Sequence, residues 1–346
     1  MFRSLIATFV GILGCAPLFC GGCKFPERGD GGVVHVAVTI PPQKWLVSQI
    51  GGERVTCVVL IPGNQDPHTF TGTDADAARL ARCRVFFSIG LPVENSPWCR
   101  AISQQSRLRV VSLSQATHFH TEFEAATHEG EAGMGSGSGG PTQLLHSGSK
   151  DPAVNTLGQI ERRHNGHDHG EAHEHDAFLH TWLSPRRLIA MGEIVAHTLE
   201  EVDPSNRTFY RNNWERLRSQ LTHLDEELRE KLAPLKGQEF FVYHPAWECF
   251  ADDYGLVQVA METQGKEPSD REITELQRRA QRARIKVMLV QPQIASRAAR
   301  AVAEAAGLRV VTANPLAEDI PTELRRVAES LISAYRESME SADLQK

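Results

Sequence analysis

The chain has 346 residues, enough for roughly two domains at about 150 residues each. Its 37 lysines and arginines against 43 acidic residues give a formal net charge of -6, which excludes any broad electrostatic attraction for nucleic acid or anionic lipid. Of the seven cysteines only Cys57, Cys83, Cys99 and Cys249 fall in the region expected to fold, and none forms a C-x-x-C pair there. That pattern reads as small buried hydrophobes or an occasional disulfide rather than a zinc-thiolate site.

The N-terminus carries Arg3, an apolar run from Leu5 to Leu13, and renewed apolar character at Pro17-Leu18-Phe19. This is too short and interrupted for a membrane span of about 20 residues, and reads as a secretory signal over residues 1–22. Cys20-Gly21-Gly22-Cys23 places small residues before a cysteine, as at a lipoprotein processing site. Cys23 is preferred for lipid attachment over Cys15, because Leu13 is bulky where a small residue is expected. The expected location is periplasmic or otherwise extracytoplasmic, with membrane contact only through such an anchor.

From Val33 onward short β-branched runs alternate with helical periodicity, which predicts an α/β class with largely parallel sheets. The predicted strands are Val33 to Val38, Val55 to Ile61, Val85 to Ile89 and Arg109 to Ser112, then Glu239 to Tyr243, Val257 to Met261, Lys286 to Val290 and Arg309 to Thr312. Between the two sets of four, Ser184-Pro185 supplies a cap and a proline at the first helical position. Asp203-Pro204 repeats the signal, and Tyr210, Trp214, Leu217, Leu221, Leu224, Leu228 and Leu232 recur at three- and four-residue spacing up to Pro234. One stiff helix over 204–234, of about 45 Å, is predicted. It would join an N-terminal lobe at 33–203 to a C-terminal lobe at 235–346. Ser269-Asp270-Arg271-Glu272 is a capping box, and a final amphipathic helix runs from about Pro321 to Met339.

Residues 117–176 lose all periodicity and form an insertion rich in Gly, Ser, His and acids. Within it His164, His167, His169, His173 and His175 make a tract suited to collecting metal weakly, since ordering a flexible chain opposes each coordination event. Three other histidines stand in rigid, aromatic-flanked motifs: Asp66-Pro67-His68-Thr69-Phe70, His180-Thr181-Trp182-Leu183-Ser184-Pro185 and Tyr243-His244-Pro245-Ala246-Trp247. Such flanks orient an imidazole and exclude solvent, as a metal site requires. His68, His180, His244 and Asn314 all follow predicted strands, and ligands of open parallel sheets bind outside strand carboxyl ends. His35, His197 and His223 lack these flanks and are expected on the surface.

These motifs, together with Pro41-Pro42, Gly51-Gly52, Asp203-Pro204, Phe250 to Leu256 and Gln291-Pro292-Gln293, closely resemble the metal-binding receptor proteins of bacterial zinc and manganese ABC importers. The resemblance covers nearly the whole mature chain. It implies two α/β lobes joined by a rigid helix, a metal held between them by His68, His180 and His244, and delivery to an ABC permease and its ATPase. A monomer is expected. The sequence departs from the pattern at Asn314, where many members carry an acid, and at Gln291, where glutamate is usual. The fourth ligand is therefore open among water, Asn314, Asp319 and a histidine of the insertion. Three nitrogen donors favour Zn2+ over Mn2+ or Fe2+. Two competing readings are a surface metal buffer or adhesin and a three-histidine zinc hydrolase. The latter lacks an H-E-x-x-H helix and an obvious general base.

Overall fold

A computed structural model of the chain describes residues 32–105, 107–114, 180–262, 269–293 and 297–343. The apolar runs form two four-stranded sheets. The first contains β1 (Val34–Val38), β2 (Val55–Val59), β3 (Val85–Ser88) and β4 (Arg109–Ser112) in the order β2-β1-β3-β4. The second contains β5 (Glu239–Val242), β6 (Val257–Ala260), β7 (Val287–Val290) and β8 (Arg309–Thr312) in the order β6-β5-β7-β8. Every pairing is parallel, with registers such as Val36↔Cys57, Val36↔Val85 and Phe241↔Met288. All eight strands lie where the sequence places them. Central strands are buried on both faces, as all four residues of β7 show, whereas β4 and β8 are partly exposed at the edges.

The helices are α1 (Pro41–Gly51), α2 (Asp74–Ala81), α3 (Pro97–Gln105), α4 (Pro185–Val202), α5 (Arg207–Leu232), α6 (Glu248–Tyr254), α7 (Asp270–Arg282), α8 (Arg297–Ala305) and α9 (Ile320–Asp343). Along β5 the side chains alternate between faces. Phe240 and Val242 join the core of the first sheet, while Phe241 and Tyr243 face a smaller cluster with Leu276, Ala280, Ala299 and Ala303. The larger core therefore runs through both sheets, and the described residues from Gly32 onward form one compact unit. Cys83, Cys99 and Cys249 are buried and Cys57 is half-buried, and none of the four is in a disulfide, so they pack as small apolar groups. Burial pushes the Cys57 thiol up to about 12. His35, His197 and His223 are exposed, as expected.

The central helix is shorter than the sequence predicts. A 3-10 turn at Pro204–Asn206 precedes α5, and another at Ala233–Leu235 follows it. The Asp203 carboxylate accepts hydrogen bonds from Asn206 Nδ2 at 2.8 Å and the Tyr210 hydroxyl at 2.7 Å, which holds the chain in the turn before the α-helix begins. The 26 residues of α5 span about 39 Å. Its seven periodic residues, Tyr210 to Leu232, are all buried, and it packs on α1, α4, α6 and α9. It is thus the spine of a shared core as well as a connector. Among the described residues no helix is long and apolar enough to cross a membrane.

The contact of α4 with α5 depends on Gly192. A Cβ there would lie 2.3 Å from Trp214 Cζ3, and Trp214 is anchored by a hydrogen bond from Nε1 to Glu193 Oε2 at 2.5 Å. Helix propensity alone would make Gly192→Ala stabilising by about 1 kcal/mol. Overpacking of about 1–3 kcal/mol opposes it. We expect a net loss, read as a melting temperature a few degrees lower in thermal unfolding. A variant as stable as wild type would mean that the helices are not in such close contact.

Candidate metal centre

The two sheets share a strand order but use their switch points differently. Between β1 and β3 the strand ends are closed by side chains. The Gln43 amide donates to Phe87 O at 2.9 Å and accepts from Thr39 N at 2.9 Å, while the Glu94 carboxylate accepts from Ile89 N, Gly90 N and the Thr39 hydroxyl. Burial holds the Glu94 carboxyl above the usual range against these bonds. The corresponding crevice between β5 and β7 instead presents His244, Gln291 and Gln293 to a small cavity.

Each histidine is oriented by its own segment. Asp66 Oδ1 accepts from His68 N at 2.9 Å, which with buried Pro67 fixes the loop after β2. His180 opens a 3-10 turn, Thr181–Leu183, whose three residues are buried. The Trp182 ring lies 5.2 Å from the His180 ring, tilted by 56°, and donates through Nε1 to Pro315 O at 2.6 Å. His244 follows β5, where Tyr243 N still donates to Leu289 O at 3.0 Å.

The three rings meet. Their centroids are 5.8 Å (His68–His180), 5.1 Å (His68–His244) and 5.3 Å (His180–His244) apart, and one ligating atom of each lies within 4.8 Å of the others. Among the described residues these alone group as three or more metal-ligating side chains. The cavity they line with Pro67, Gln291, Gln293, Pro315 and Leu316 encloses about 10 Å³, room for one water-sized body. His180 Nδ1, both nitrogens of His244, Glu262 Oε2 and Gln293 Oε1 are buried without hydrogen-bond partners. Leaving a buried polar group unpaired is destabilising by about 1–3 kcal/mol. A concentration of such atoms in one place fits a bound cation, and imidazole donors in a tetrahedral arrangement suit zinc.

The expected fourth ligands have other partners. Asn314 Oδ1 accepts from Gln293 Nε2 at 3.0 Å and Leu316 N at 3.1 Å. Asp319 is exposed and its carboxylate caps α9 through Thr322 N at 3.2 Å and the Thr322 hydroxyl at 2.8 Å. His164, His167, His169, His173 and His175, the rest of the insertion at 117–176, and the leader with Cys15 and Cys23 lie outside the described residues. Two neighbours carried no expectation of a role. Glu262 lies just past β6, its Oε2 3.4 Å from His244 Nδ1. Gln293 bridges the first and second sheets by donating from Nε2 to Gly63 O at 2.5 Å. With that nitrogen committed to two oxygens, the amide is oriented and Oε1 must be the atom left over.

Burial drives the His180 pKa well below the ordinary 6.5, and His244 and His68 add to the effect. The unfolded chain takes up a proton near pH 6.5 that the folded chain refuses, so this contribution to stability is full above that pH and lost as pH falls. In metal-free protein the slope is at most about 1.4 kcal/mol per pH unit from this group. Melting temperatures between about pH 7.5 and 5 should therefore fall more steeply for wild type than for His180→Gln. Equal slopes would mean that His180 is not held neutral by burial.

The sequence model of the family described as ZnuA, zinc-uptake complex component A, periplasmic, matches residues 36–341. A zinc-binding lipoprotein, AdcA, of Streptococcus pneumoniae is 24% identical over 330 residues, covering 94% of this chain. The chain spans 58% of that relative's length. The crystal structure of a ZnuA is 27% identical and superposes with a TM-score of 0.66, covering 88% of this chain and 99% of the other. A zinc-bound ZnuA deletion mutant, also 27% identical, gives a TM-score of 0.65 over 88% of this chain and 98% of its own. The chain belongs to the ZnuA family of periplasmic zinc-uptake components.

Proposed function

We propose that this protein is the extracytoplasmic receptor that captures a divalent ion, zinc before manganese or iron, with His68, His180 and His244, and delivers it to an ABC permease and its ATPase. The observation that carries the reading is the convergence of three imidazoles from separate segments on one buried cavity of about 10 Å³. Family membership supports the zinc and the importer. An amide oxygen, Gln293 Oε1, is the buried, unpaired donor available for a fourth position.

Functionally, 33–203 and 235–346 act as two lobes with 204–234 between them, and the mouth is held by contacts across it. Gln293 donates to Gly63 O, Trp182 donates to Pro315 O, and Lys44 pairs with Glu318 at 2.8 Å. Release of the ion to the permease would open these. The tract at His164 to His175 serves as a weak collector, and Cys23 as a lipid anchor. The cavity size argues against hydrolysis, because an ion fills it and leaves no space for a substrate beside a zinc-bound water.

Binding of structural zinc is worth about 10–16 kcal/mol, so each of three or four donors carries about 3 kcal/mol, on the order of a hundredfold. His68→Ala, His180→Ala and His244→Ala should each remain folded and lose zinc affinity by about this factor in chelator competition. Three variants that bind as tightly as wild type would place the site elsewhere.

Deleting Thr127 to Glu174 should reduce the number of weakly bound zinc ions, counted by equilibrium dialysis, and leave the tight site intact. Loss of the tight site in that deletion would instead make a histidine of the insertion the fourth ligand.

A further inference from the structure

The reading of His244 as a zinc ligand leaves two questions: which of its nitrogens takes the metal, and what offsets the charge. Three neutral imidazoles leave a divalent ion at its full charge in a buried place, which is costly without compensation. Asn314 is neutral, and Asp319 is committed to capping α9.

The pairing of β5 with β6 continues past the regular strands. Met261 N donates to Val242 O at 3.0 Å and Glu262 N donates to Tyr243 O at 2.8 Å. That register sets Glu262 beside the residue preceding His244. Its Oε2 lies 3.4 Å from His244 Nδ1, with the two side chains only 11% and 13% exposed. Neither atom has a hydrogen-bond partner, and His244 Nε2 is also buried and unpaired. The carboxylate does not belong to the histidine group itself.

The geometry points to Glu262 as the positioning residue of the metal centre, accepting the Nδ1 proton of His244 so that Nε2 keeps its lone pair for the ion. A carboxylate behind a ligating imidazole fixes the tautomer, orients the ring and raises its basicity. It also places one negative charge next to the site without spending a coordination position on it. Closing the 3.4 Å separation to a hydrogen bond needs only a small side-chain rotation.

The test uses the full chain labelled with 15N-histidine, metal-free at neutral pH, and zinc alone as the probe. Long-range proton–nitrogen spectra, with His244 assigned by its loss in His244→Ala, should show Nδ1 protonated in wild type. Glu262→Ala should give a mixture of tautomers and weaken zinc by ~10–100-fold in chelator competition. Glu262→Gln, whose amide oxygen can accept the same proton, should restore the tautomer and much of the affinity. The cobalt-substituted protein should show the same coordination number with and without Glu262. Unchanged zinc affinity or an unchanged tautomer in Glu262→Ala would overturn the inference. So would loss of a coordinating oxygen from the cobalt spectrum, which would make Glu262 a ligand. His68→Ala in the same titration separates the two levels: if it binds like wild type, the three-histidine reading fails. If it loses zinc while Glu262→Ala does not, only the role of Glu262 falls.

Discussion

Three imidazoles with ring centroids 5.1–5.8 Å apart are the arrangement that the rest of the molecule has to sustain. A proton on His180 would put a charge into a buried place beside the other two rings. The rings therefore cannot relax toward solvent individually, and each needs an anchor outside the site. For His180 that anchor is a fully buried indole whose N–H reaches Pro315 O in the opposite part of the crevice. His244 inherits the rigidity of a central strand, and His68 that of a proline-bounded turn. A cation would meet the unpaired ring nitrogens of His180 and His244 at once, so affinity follows from preorganisation as much as from donor chemistry.

The strands were legible because they are short runs of β-branched and aromatic or aliphatic residues, and the equal count on both sides of α4 and α5 foretold two sheets. Their ends were less so. β2 stops at Val59 by regular geometry, although Leu60 N and Ile61 N still bond to Val38 O and Thr39 O at 2.9 Å, so the apolar pattern overran the strand. The start of α5 was misplaced for a different reason. Pro204 is compatible with a helix, and only the competing bonds of the Asp203 side chain turn that segment into a 3-10 turn.

At the site, His68, His180 and His244 were readable from flanking proline and aromatic residues, which are local. Glu262 and Gln293 were not. A lone glutamate after a strand carries no local signal, and its relation to His244 exists only through the β5–β6 register. Asn314 illustrates the converse. Its position after β8 was read correctly, but nothing in the sequence reveals that its side-chain oxygen is already shared between Gln293 and Leu316.

The shared core limits how the crevice can open. Bending α5 at mid-length would re-expose part of a stripe of seven buried residues, each contributing about 1.5–3 kcal/mol of burial. The contacts across the mouth are few hydrogen bonds, worth about 0.5–1.5 kcal/mol each, and one exposed ion pair between Lys44 and Glu318 worth about 0–1 kcal/mol. The mouth is thus the weaker link by several kcal/mol. The loops carrying Gly63, His68, Gln293 and Pro315 are held together less firmly than the two sheets are held by α5. Coupling follows from the same geometry. Gln293 holds Gly63 through its nitrogen and lines the cavity, so a single side chain touches both the loop of the first sheet and the wall of the site.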